Sequence, residues 1–192
     1  MSKGKDMPSQ EYLKECFDYN PETGILMWKQ RPQHHYSTDT NFIGSNKRFL
    51  NKVAGTLNKN MGYLSVKVQD SNFRVHRIIW KLVTGNEPLY EIDHINNIRD
   101  DNRFINLREA TSSENGRNRL MRSDNTSGVK GVCWDKESGK WLAQIWYDNK
   151  NMKVGRHRTI EQAEEAIRLK RIELYTDYYN HGEILSPYGA IQ

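Results

Sequence analysis

The spacing of hydrophobic residues changes along the chain, and each change marks a different element. Apolar and polar residues alternate in GYLSVKVQD (62–70), which predicts a half-buried strand. The following FRVH (73–76) predicts a second strand that pairs back as a hairpin. In VHRIIWKLVTG (75–85) the apolar residues recur with helical spacing, and Gly85 supplies a stop signal. A hairpin followed by an amphipathic helix is therefore expected between residues 62 and 85.

The N-terminal part of the chain predicts a short helix, a turn and a strand. Ser9 is a typical cap for a helix whose apolar face consists of Tyr12, Leu13, Cys16 and Phe17. DYNPETG (18–24) contains the proline and glycine of a turn, and ILMWK (25–29) then reads as a strand. Residues 30–52 are polar and are interpreted as a long loop. The paired His34 and His35 of this loop could bind a metal, although solvated surface residues are the favoured interpretation.

Residues 91–119 predict two strands and a helix within about thirty residues. EIDHI (91–95) and INLREAT (105–111) are short strand patterns, separated by a loop rich in Asn, Asp and Arg. Thr111 followed by Glu114 forms a capping-box pattern, so a helix is expected from Ser112 to about Met121. The order of elements predicts a ββα unit.

The C-terminal part predicts three strands and one helix. The polar stretch RSDNTSG (122–128) separates it from the preceding unit, so we expect domains at residues 8–122 and 126–180. The strands are KGVCW (130–134), KWLAQIWY (140–147) and MKVGRH (152–157). Thr159 and Gln162 suit the start of the final helix, whose apolar face consists of Ile160, Ala163, Ala166, Ile167 and Leu174. The tail after Tyr179 is expected to be weakly structured.

Composition narrows the classes of function. The chain has 192 residues, a net charge of +5 and an isoelectric point near 9.1, which suggests an anionic partner. The two cysteines, Cys16 and Cys133, are far apart, so neither a zinc ribbon nor a disulfide framework is expected. The N-terminus has no apolar signal region, and no run is long enough to span a bilayer. We therefore expect a cytoplasmic protein that does not bind membranes.

The positive charge is concentrated in the three C-terminal strands. Residues 128–158 carry seven basic and three acidic side chains, a net +4, whereas residues 159–185 carry a net −3. In the central strand, Trp141, Ala143, Ile145 and Tyr147 are expected to pack on the helix. The opposite face would then meet duplex DNA, since a small sheet can enter the major groove. The predicted DNA-binding residues are Lys130, Trp134, Lys136, Lys140, Gln144, Trp146, Lys153, Arg156 and Arg158.

The ββα unit contains the residue types of a metal-dependent hydrolytic site. Asp93 is a hard oxygen donor that suits Mg²⁺ or Mn²⁺, and His94 can accept a proton from water near neutral pH. Asn115, in the first turn of the capped helix, would share one metal with Asp93 if the helix packs across the hairpin. Asn106 either ties the long loop or orients His94. Lesser candidates are Asn118, on the same helical face as Asn115, and His76.

The segment resembles the HNH endonucleases of the phage homing type over about residues 10–119. The resemblance is carried by YLKECFDYNPETGILMWK, GYLSVKV, VHRIIW, IDHINN, DNRFINLREAT and SEN. It implies a ββα-metal fold and metal-dependent cleavage of phosphodiester bonds. It also implies that His94 is the general base, that Asp93 and Asn115 bind one Mg²⁺ or Mn²⁺, and that Asn106 is the structural middle residue. The third position is Asn115 rather than His, as in the homing branch.

Residues 126–175 are similar to the ethylene-response-factor (apetala-type) DNA-binding domain. The likeness is carried by KGV, GKWLAQI, VGRHRT and EQAEEA, and it departs from the family at His157, where an aromatic residue is usual. It implies a three-stranded antiparallel sheet packed on one helix. The expected fold is therefore α+β, with a ββα-metal nuclease domain followed by this DNA-reading module.

These patterns predict a site-recognising homing-type endonuclease, active on double-stranded DNA as a monomer or weak dimer. It would nick one strand per site, leave 5′-phosphate and 3′-hydroxyl ends, and need no small-molecule cofactor besides the metal. If the gene is carried by a phage, the enzyme would act in the host cytoplasm. Two alternatives remain open: a non-catalytic DNA-binding regulator with a degenerate nuclease domain, and a protein that binds or cleaves RNA.

Overall fold

A computed structural model of the chain describes residues 6–175 and 178–180. The chain divides into two compact units, Met1–Ala110 and Thr111–Gln192. This division falls earlier than the boundary near residues 122–126 that the polar stretch predicts. Most of the predicted weakly structured tail lies outside the described residues. Within the part of the chain that is described, no helix is both long enough and apolar enough to cross a membrane.

The first unit mixes helices with small antiparallel sheets. Its elements are α1 (Gln10–Cys16), β1 (Phe17–Asn20), β2 (Ile25–Trp28), a 3₁₀ turn (Gln33–His35), α2 (Asp39–Phe49), β3 (Thr56–Asn58), β4 (Tyr63–Val68), β5 (Ser71–Arg74), α3 (Val75–Thr84), β6 (Glu91–His94), a second 3₁₀ turn (Phe104–Asn106) and β7 (Leu107–Ala110). The second unit contains α4 (Ser112–Asn118), β8 (Val132–Asp135), β9 (Lys140–Tyr147), β10 (Lys150–His157) and α5 (Ile160–Leu174).

The ends of the first-unit helices follow the predicted signals. The hydroxyl of Ser9 accepts a hydrogen bond from the backbone N–H of Tyr12 and so caps α1. Gly85 ends α3 in the left-handed conformation, at a φ of 80°. FRVH is only partly a strand, because β5 ends at Arg74 and Val75 already belongs to α3. The core of the unit is built around the fully buried Leu13, Leu26, Val75, Ile78 and Ile79.

The interpretation of residues 30–52 as a loop is wrong, because they contain a 3₁₀ turn and the eleven-residue α2. Thr38 caps α2 by accepting a hydrogen bond from the N–H of Asn41. The amide of Asn46 then forms two bonds to the backbone of Arg31, both at 3.0 Å. Although α2 is mostly polar and exposed, these tertiary bonds hold it in place together with Phe49, whose ring packs against that of Trp28 at 5.6 Å.

The second unit has the predicted strand order, with β9 between β8 and β10. Ala143 and Ile145 of β9 share a buried cluster with Ala163 and Ile167 of α5. Thr159 caps α5 by accepting a hydrogen bond from the N–H of Gln162. Ala143 and Ile145, two residues of the β9 face that is expected to pack on the helix, therefore lie in a cluster that α5 helps to form.

The pairing of β8 with β9 corrects the placement of Trp134. Trp134 lies directly opposite Trp141, and Val132 lies opposite the buried Ala143. Residues that face each other across an antiparallel pair point to the same side of a sheet. Trp134 is therefore on the side that carries α5, where its ring meets that of Trp141 edge-on at 5.1 Å. The expectation that Trp134 shares a face with Lys140 is therefore wrong.

Candidate active site

The β6–β7 hairpin places Asp93 and His94 at the end of a buried strand. Asp93 lies opposite Arg108 and His94 lies opposite Leu107. Both candidate residues are buried, although each carries a polar side chain. Two buried polar residues in succession on a strand require specific partners, because desolvation is costly.

His94 finds such a partner in Asn102, a residue that the sequence analysis did not single out. The Nε2 atom of His94 lies 3.1 Å from Oδ1 of Asn102, and both side chains are almost completely buried. Asn102 lies in the loop between β6 and β7, eight residues after His94. The only signal in the sequence was the richness of this loop in amides, which does not distinguish Asn102 from its neighbours.

The loop that carries Asn102 is supported by the β1–β2 hairpin. The hydroxyl of Tyr19 donates to the carbonyl oxygen of Asn102 at 3.0 Å and accepts from the N–H of Phe104 at 2.8 Å. Gly24, in the turn of the same hairpin, has a φ of 73°, and a Cβ there would lie 2.5 Å from the backbone nitrogen of Arg103. The turn therefore requires glycine twice, for its backbone conformation and for its close approach to the loop.

Asn106 ties the loop together, the first of the two roles considered for it. Its Oδ1 accepts from the N–H of Asn96 at 3.0 Å. Its Nδ2 donates to Oδ1 of Asn96 at 2.9 Å and to the carbonyl of Asp101 at 2.8 Å. Asn106 ends the second 3₁₀ turn rather than beginning β7. The orientation of His94 thus falls to Asn102.

His76 and Tyr63 form an aromatic wall beside His94. The ring of His76 meets that of His94 edge-on at 5.1 Å, and the ring of Tyr63 lies 5.8 Å from His94. Burial lowers the pKa of His94, and burial together with the charge of His94 lowers the pKa of His76 to about 3. Both imidazoles are therefore neutral near pH 7.

Three buried polar atoms around His94 have no hydrogen-bond partner within the described part of the chain. They are Nη1 of Arg74, Nδ1 of His76 and Nδ2 of Asn102. The guanidinium of Arg74 also lies 4.4 Å above the ring of Tyr63. Because buried polar groups in folded proteins are nearly always paired, several unpaired ones in one place indicate a site that receives a polar ligand.

Asp93 is held by a basic neighbour. Both Nε and an Nη atom of Arg108 lie 2.9 Å from Oδ2 of Asp93. This pair keeps the carboxylate in a fixed orientation within the hairpin. Carboxylate oxygens are the donors that Mg²⁺ and Mn²⁺ prefer, so the chemistry of Asp93 fits a hard divalent ion.

The two other candidate ligands lie in α4, in the second unit. The predicted capping box is present: the Thr111 hydroxyl accepts from the N–H of Glu114, whose carboxylate accepts from the N–H of Thr111. Asn115 is the fourth residue of α4, and Asn118 is its last and is buried. The helix is three residues shorter than predicted.

Eight of the nine predicted DNA-binding residues fall into three groups. Lys140, Gln144, Lys153 and Arg156 share the face of the sheet away from α5, and the 63% exposed Trp146 lies on the same face. Arg156 donates to Asp135 at 2.6 Å on that face. Lys136 and Arg158 are exposed beyond the ends of β8 and β10. Trp134, as described above, lies on the side of α5.

Lys130 differs from the other predicted DNA-binding residues, because its ammonium group is engaged inside the second unit. It donates to the carbonyl oxygens of Arg117, Arg119 and Asn180. Burial lowers the pKa of Lys130 to about 8. This geometry is that of a structural lysine rather than of one that projects toward DNA.

Comparison with known proteins finds a family that is similar to the region around His94. Residues 73–117 match the family model described as HNH endonuclease. The match begins in β5, includes the hairpin and reaches into α4. These residues therefore resemble an HNH endonuclease domain, a kind of domain whose substrates are nucleic acids. HNH nucleases generally use a divalent metal.

A phage protein is also similar to this chain. Protein 3.8 of Escherichia phage T7 is 36% identical over 78 residues. The alignment covers 40% of this chain and 64% of the phage protein, so the similarity spans a little under two thirds of that relative. No solved structure gives a significant match.

Proposed function

We propose that the protein is a site-recognising, divalent-metal-dependent DNA endonuclease of the homing type in which His94 is the general base. One observation carries the proposal. A buried, neutral His94 follows Asp93 directly on β6, is held by Asn102 and is surrounded by unpaired polar atoms. The location of this cluster inside the HNH match supports hydrolysis of a phosphodiester bond.

Asn102 determines which nitrogen of His94 acts as the base. With Oδ1 of Asn102 as the acceptor, Nε2 of His94 carries the proton, and Nδ1 becomes the basic nitrogen. A neutral imidazole in this tautomer can take a proton from the water that attacks phosphorus. General-base catalysis of this kind contributes roughly 10²–10⁴-fold to the rate.

Unpaired donors beside His94 suit the phosphate group. Nη1 of Arg74 and Nδ2 of Asn102 both carry hydrogens that have no acceptor in the described structure. Placed against a phosphodiester, they would donate to its non-bridging oxygens and hold the phosphorus near the base. His76, one of the lesser candidates, would line the same phosphate-binding site beside these two donors.

Asp93 and Asn115 would hold the metal, with Asn118 as the lesser candidate. Carboxylate and amide oxygens form a donor set that fits Mg²⁺ or Mn²⁺, one ion per site. A divalent ion bound there would stabilise the charge that develops on the phosphate and on the leaving 3′ oxygen. The products would carry 5′-phosphate and 3′-hydroxyl ends. One such site cuts one strand, so a monomer nicks and a double-strand cut needs a weak dimer or two events.

The second unit would position the nuclease on double-stranded DNA. The face of its sheet opposite α5 carries Lys140, Lys153 and Arg156 around Gln144 and the exposed Trp146. Basic and amide side chains on a twisted sheet can enter the major groove and contact base edges and phosphates. This arrangement supports the resemblance to the ethylene-response-factor domain.

Plasmid cleavage tests the proposal. Supercoiled DNA that carries the target, incubated with the full chain and Mg²⁺ or Mn²⁺, is expected to become relaxed. His94→Ala should reduce the rate by about 10²–10⁴-fold and leave the Kd for DNA unchanged. Tight DNA binding without relaxed product in either metal would instead identify a non-catalytic regulator. Preferential binding or cleavage of RNA of the same sequence would favour the RNA alternative.

A further inference from the structure

Glu15, His34 and His35 form a second cluster of metal-binding side chains, distinct from the residues of the nuclease site. Glu15 lies near the end of α1, and the two histidines end the 3₁₀ turn that follows nineteen residues later. One ligand atom from each residue lies within 4.8 Å of the others. The Oε2 atom of Glu15 is 3.1 Å from Nε2 of His34 and 2.6 Å from Nε2 of His35.

The spacing of these atoms is close to what a tetrahedral metal needs. Zinc–nitrogen and zinc–oxygen bonds of about 2.0–2.1 Å place neighbouring ligand atoms about 3.3 Å apart. Both distances from Glu15 are within an ångström of that value. Since the two histidine nitrogens also lie within 4.8 Å of each other, side-chain movements of about an ångström would bring all three atoms into one coordination sphere.

His35 is fixed in place before any ion binds. Its side chain is only 2% exposed, and its ring stacks on Tyr12 at a centroid distance of 4.0 Å. Its Nδ1 lies 3.7 Å from the sulfur of the buried Cys16. A ligand whose ring is held on two sides loses little conformational freedom on binding, and the outer contact to its second nitrogen orients the ring toward the ion.

Adjacent histidines usually point in different directions, but the 3₁₀ turn brings these two to one point. Their rings meet edge-on at 4.7 Å, and both Nε2 atoms approach the same carboxylate oxygen. The side chains of His34 and Glu15 are 67% and 43% exposed. The fourth coordination position would therefore face solvent and hold a water molecule.

We propose that Glu15, His34 and His35 bind one Zn²⁺ ion that links α1 to the 3₁₀ turn before α2. Two imidazoles and one carboxylate form a three-ligand set typical of zinc, whereas Mg²⁺ prefers oxygen ligands alone. The ion would close the chain between residues 15 and 34 and stabilise the first unit. This site uses none of the residues proposed for cleavage.

Zinc titration of the full chain tests the proposal. Calorimetry of wild type with Zn²⁺ should detect a site whose Kd rises by at least about 100-fold in His34→Gln, since loss of an outer partner alone costs 10–100-fold. Lys14→Gln, an exposed change on α1, is the matched control and should retain the site. His94→Ala should retain it too, which separates this ion from one bound at the nuclease site.

Thermal unfolding provides a second readout. Zinc at about 100 times its Kd should raise the Tm of wild type and of Lys14→Gln by roughly 5–10 °C and leave that of His34→Gln unchanged. Cleavage in Mg²⁺ should be the same in His34→Gln and wild type. Equal zinc binding in wild type and His34→Gln, or no zinc binding in wild type, would overturn the proposal and leave a histidine–carboxylate hydrogen-bond cluster.

Discussion

His94 and Asn102 are joined by a buried hydrogen bond of 3.1 Å between Nε2 and Oδ1. The bond connects the last residue of β6 to the loop between β6 and β7. Its position makes Asn102 the residue that orients the proposed base. The role assigned to Asn106 is correspondingly reduced to holding the loop.

Replacement of Asn102 should therefore impair chemistry more than binding. Asn102→Ala is expected to lower kcat for plasmid cleavage by about 10–100-fold and to raise the Kd for DNA by a smaller factor, because the amide would also donate to the phosphate. Asn102→Asp retains an acceptor for Nε2 and should recover part of the rate. Asn60→Ala, at an exposed amide in the β3–β4 turn, is the control. An unchanged kcat in Asn102→Ala would exclude an orienting role.

The stability of the first unit should depend on pH through His76. The pKa of His76 is lowered to about 3 in the folded chain and is near 6.5 when unfolded, so only the unfolded state takes up a proton between these values. Stability is thus present above pH 6.5 and is lost as pH falls toward 3. The neighbouring charged groups are His94, Arg74 and Arg77, and His94 contributes with the same sign.

Urea unfolding measures this effect. His76→Phe should reduce the loss of unfolding free energy between pH 6.5 and pH 5 by about 1–2 kcal/mol relative to wild type. The measurement is made with a chelator present, so that no metal contributes. An identical pH dependence in both proteins would show that His76 is not buried in its neutral form.

Two glycines of the first unit should respond in opposite ways to alanine. At Gly24 the positive φ and the backbone of Arg103 both oppose a side chain, so Gly24→Ala should destabilise the unit by more than about 1 kcal/mol. Gly44 lies inside α2 with nothing within 4 Å of a built Cβ. Gly44→Ala should stabilise by about 0.5–1 kcal/mol. Denaturant midpoints of the two variants and of wild type measure both effects. Equal midpoints would contradict the conclusion that the turn requires glycine at position 24.

Lys130 should matter for stability and Lys140 should not. In Lys130→Met three carbonyl oxygens lose a charged donor. The free energy of unfolding is expected to fall by about 1–3 kcal/mol, although the variant no longer has to bury a charge. Lys140→Met, on the exposed face of the sheet that β8, β9 and β10 form, should change stability by less than about 0.5 kcal/mol. If the two variants have the same free energy of unfolding, the hydrogen bonds from Lys130 to the carbonyl oxygens contribute no net stability.

Salt dependence should reveal which face meets DNA. Arg158→Ala removes an exposed charge at the end of β10 and is expected to weaken binding and to reduce the slope of log Kd against log salt by about 0.9. Arg168 on α5 pairs with Glu165 and is the control, since Arg168→Ala should leave the slope unchanged. Equal slopes for Arg158→Ala and wild type would argue against DNA contact at this end of the sheet.

Local signals in the sequence predicted much of the fold. The alternation in β4 and β9, the caps at Ser9, Thr111 and Thr159, and the stop at Gly85 each depend on residues close together in the chain. The helix α2 was missed because its apolar pattern is weak. Its anchor is a contact between Asn46 and Arg31, which periodicity does not reveal.

Long-range contacts account for the other differences between the structure and the predictions from the sequence. The sequence contains both Asn102 and Asn106, but only the path of the loop decides which amide reaches His94. Strand alternation likewise predicts two faces for β8 without fixing how β8 is aligned with β9. One register places Trp134 beside Trp141, and that alignment is a tertiary property. The assignment of Asp93 and Asn115 as ligands stays a prediction.

The contact from Tyr19 to Asn102 spans 83 residues of sequence. It has a practical consequence for anyone who shortens the protein. A fragment that starts at Phe73 would contain every residue of the family match and still lack both the Tyr19 hydroxyl and the Gly24 turn. A fragment that is meant to keep Asn102 in place beside His94 must therefore begin before the first β-hairpin, well upstream of the residues that match the family model.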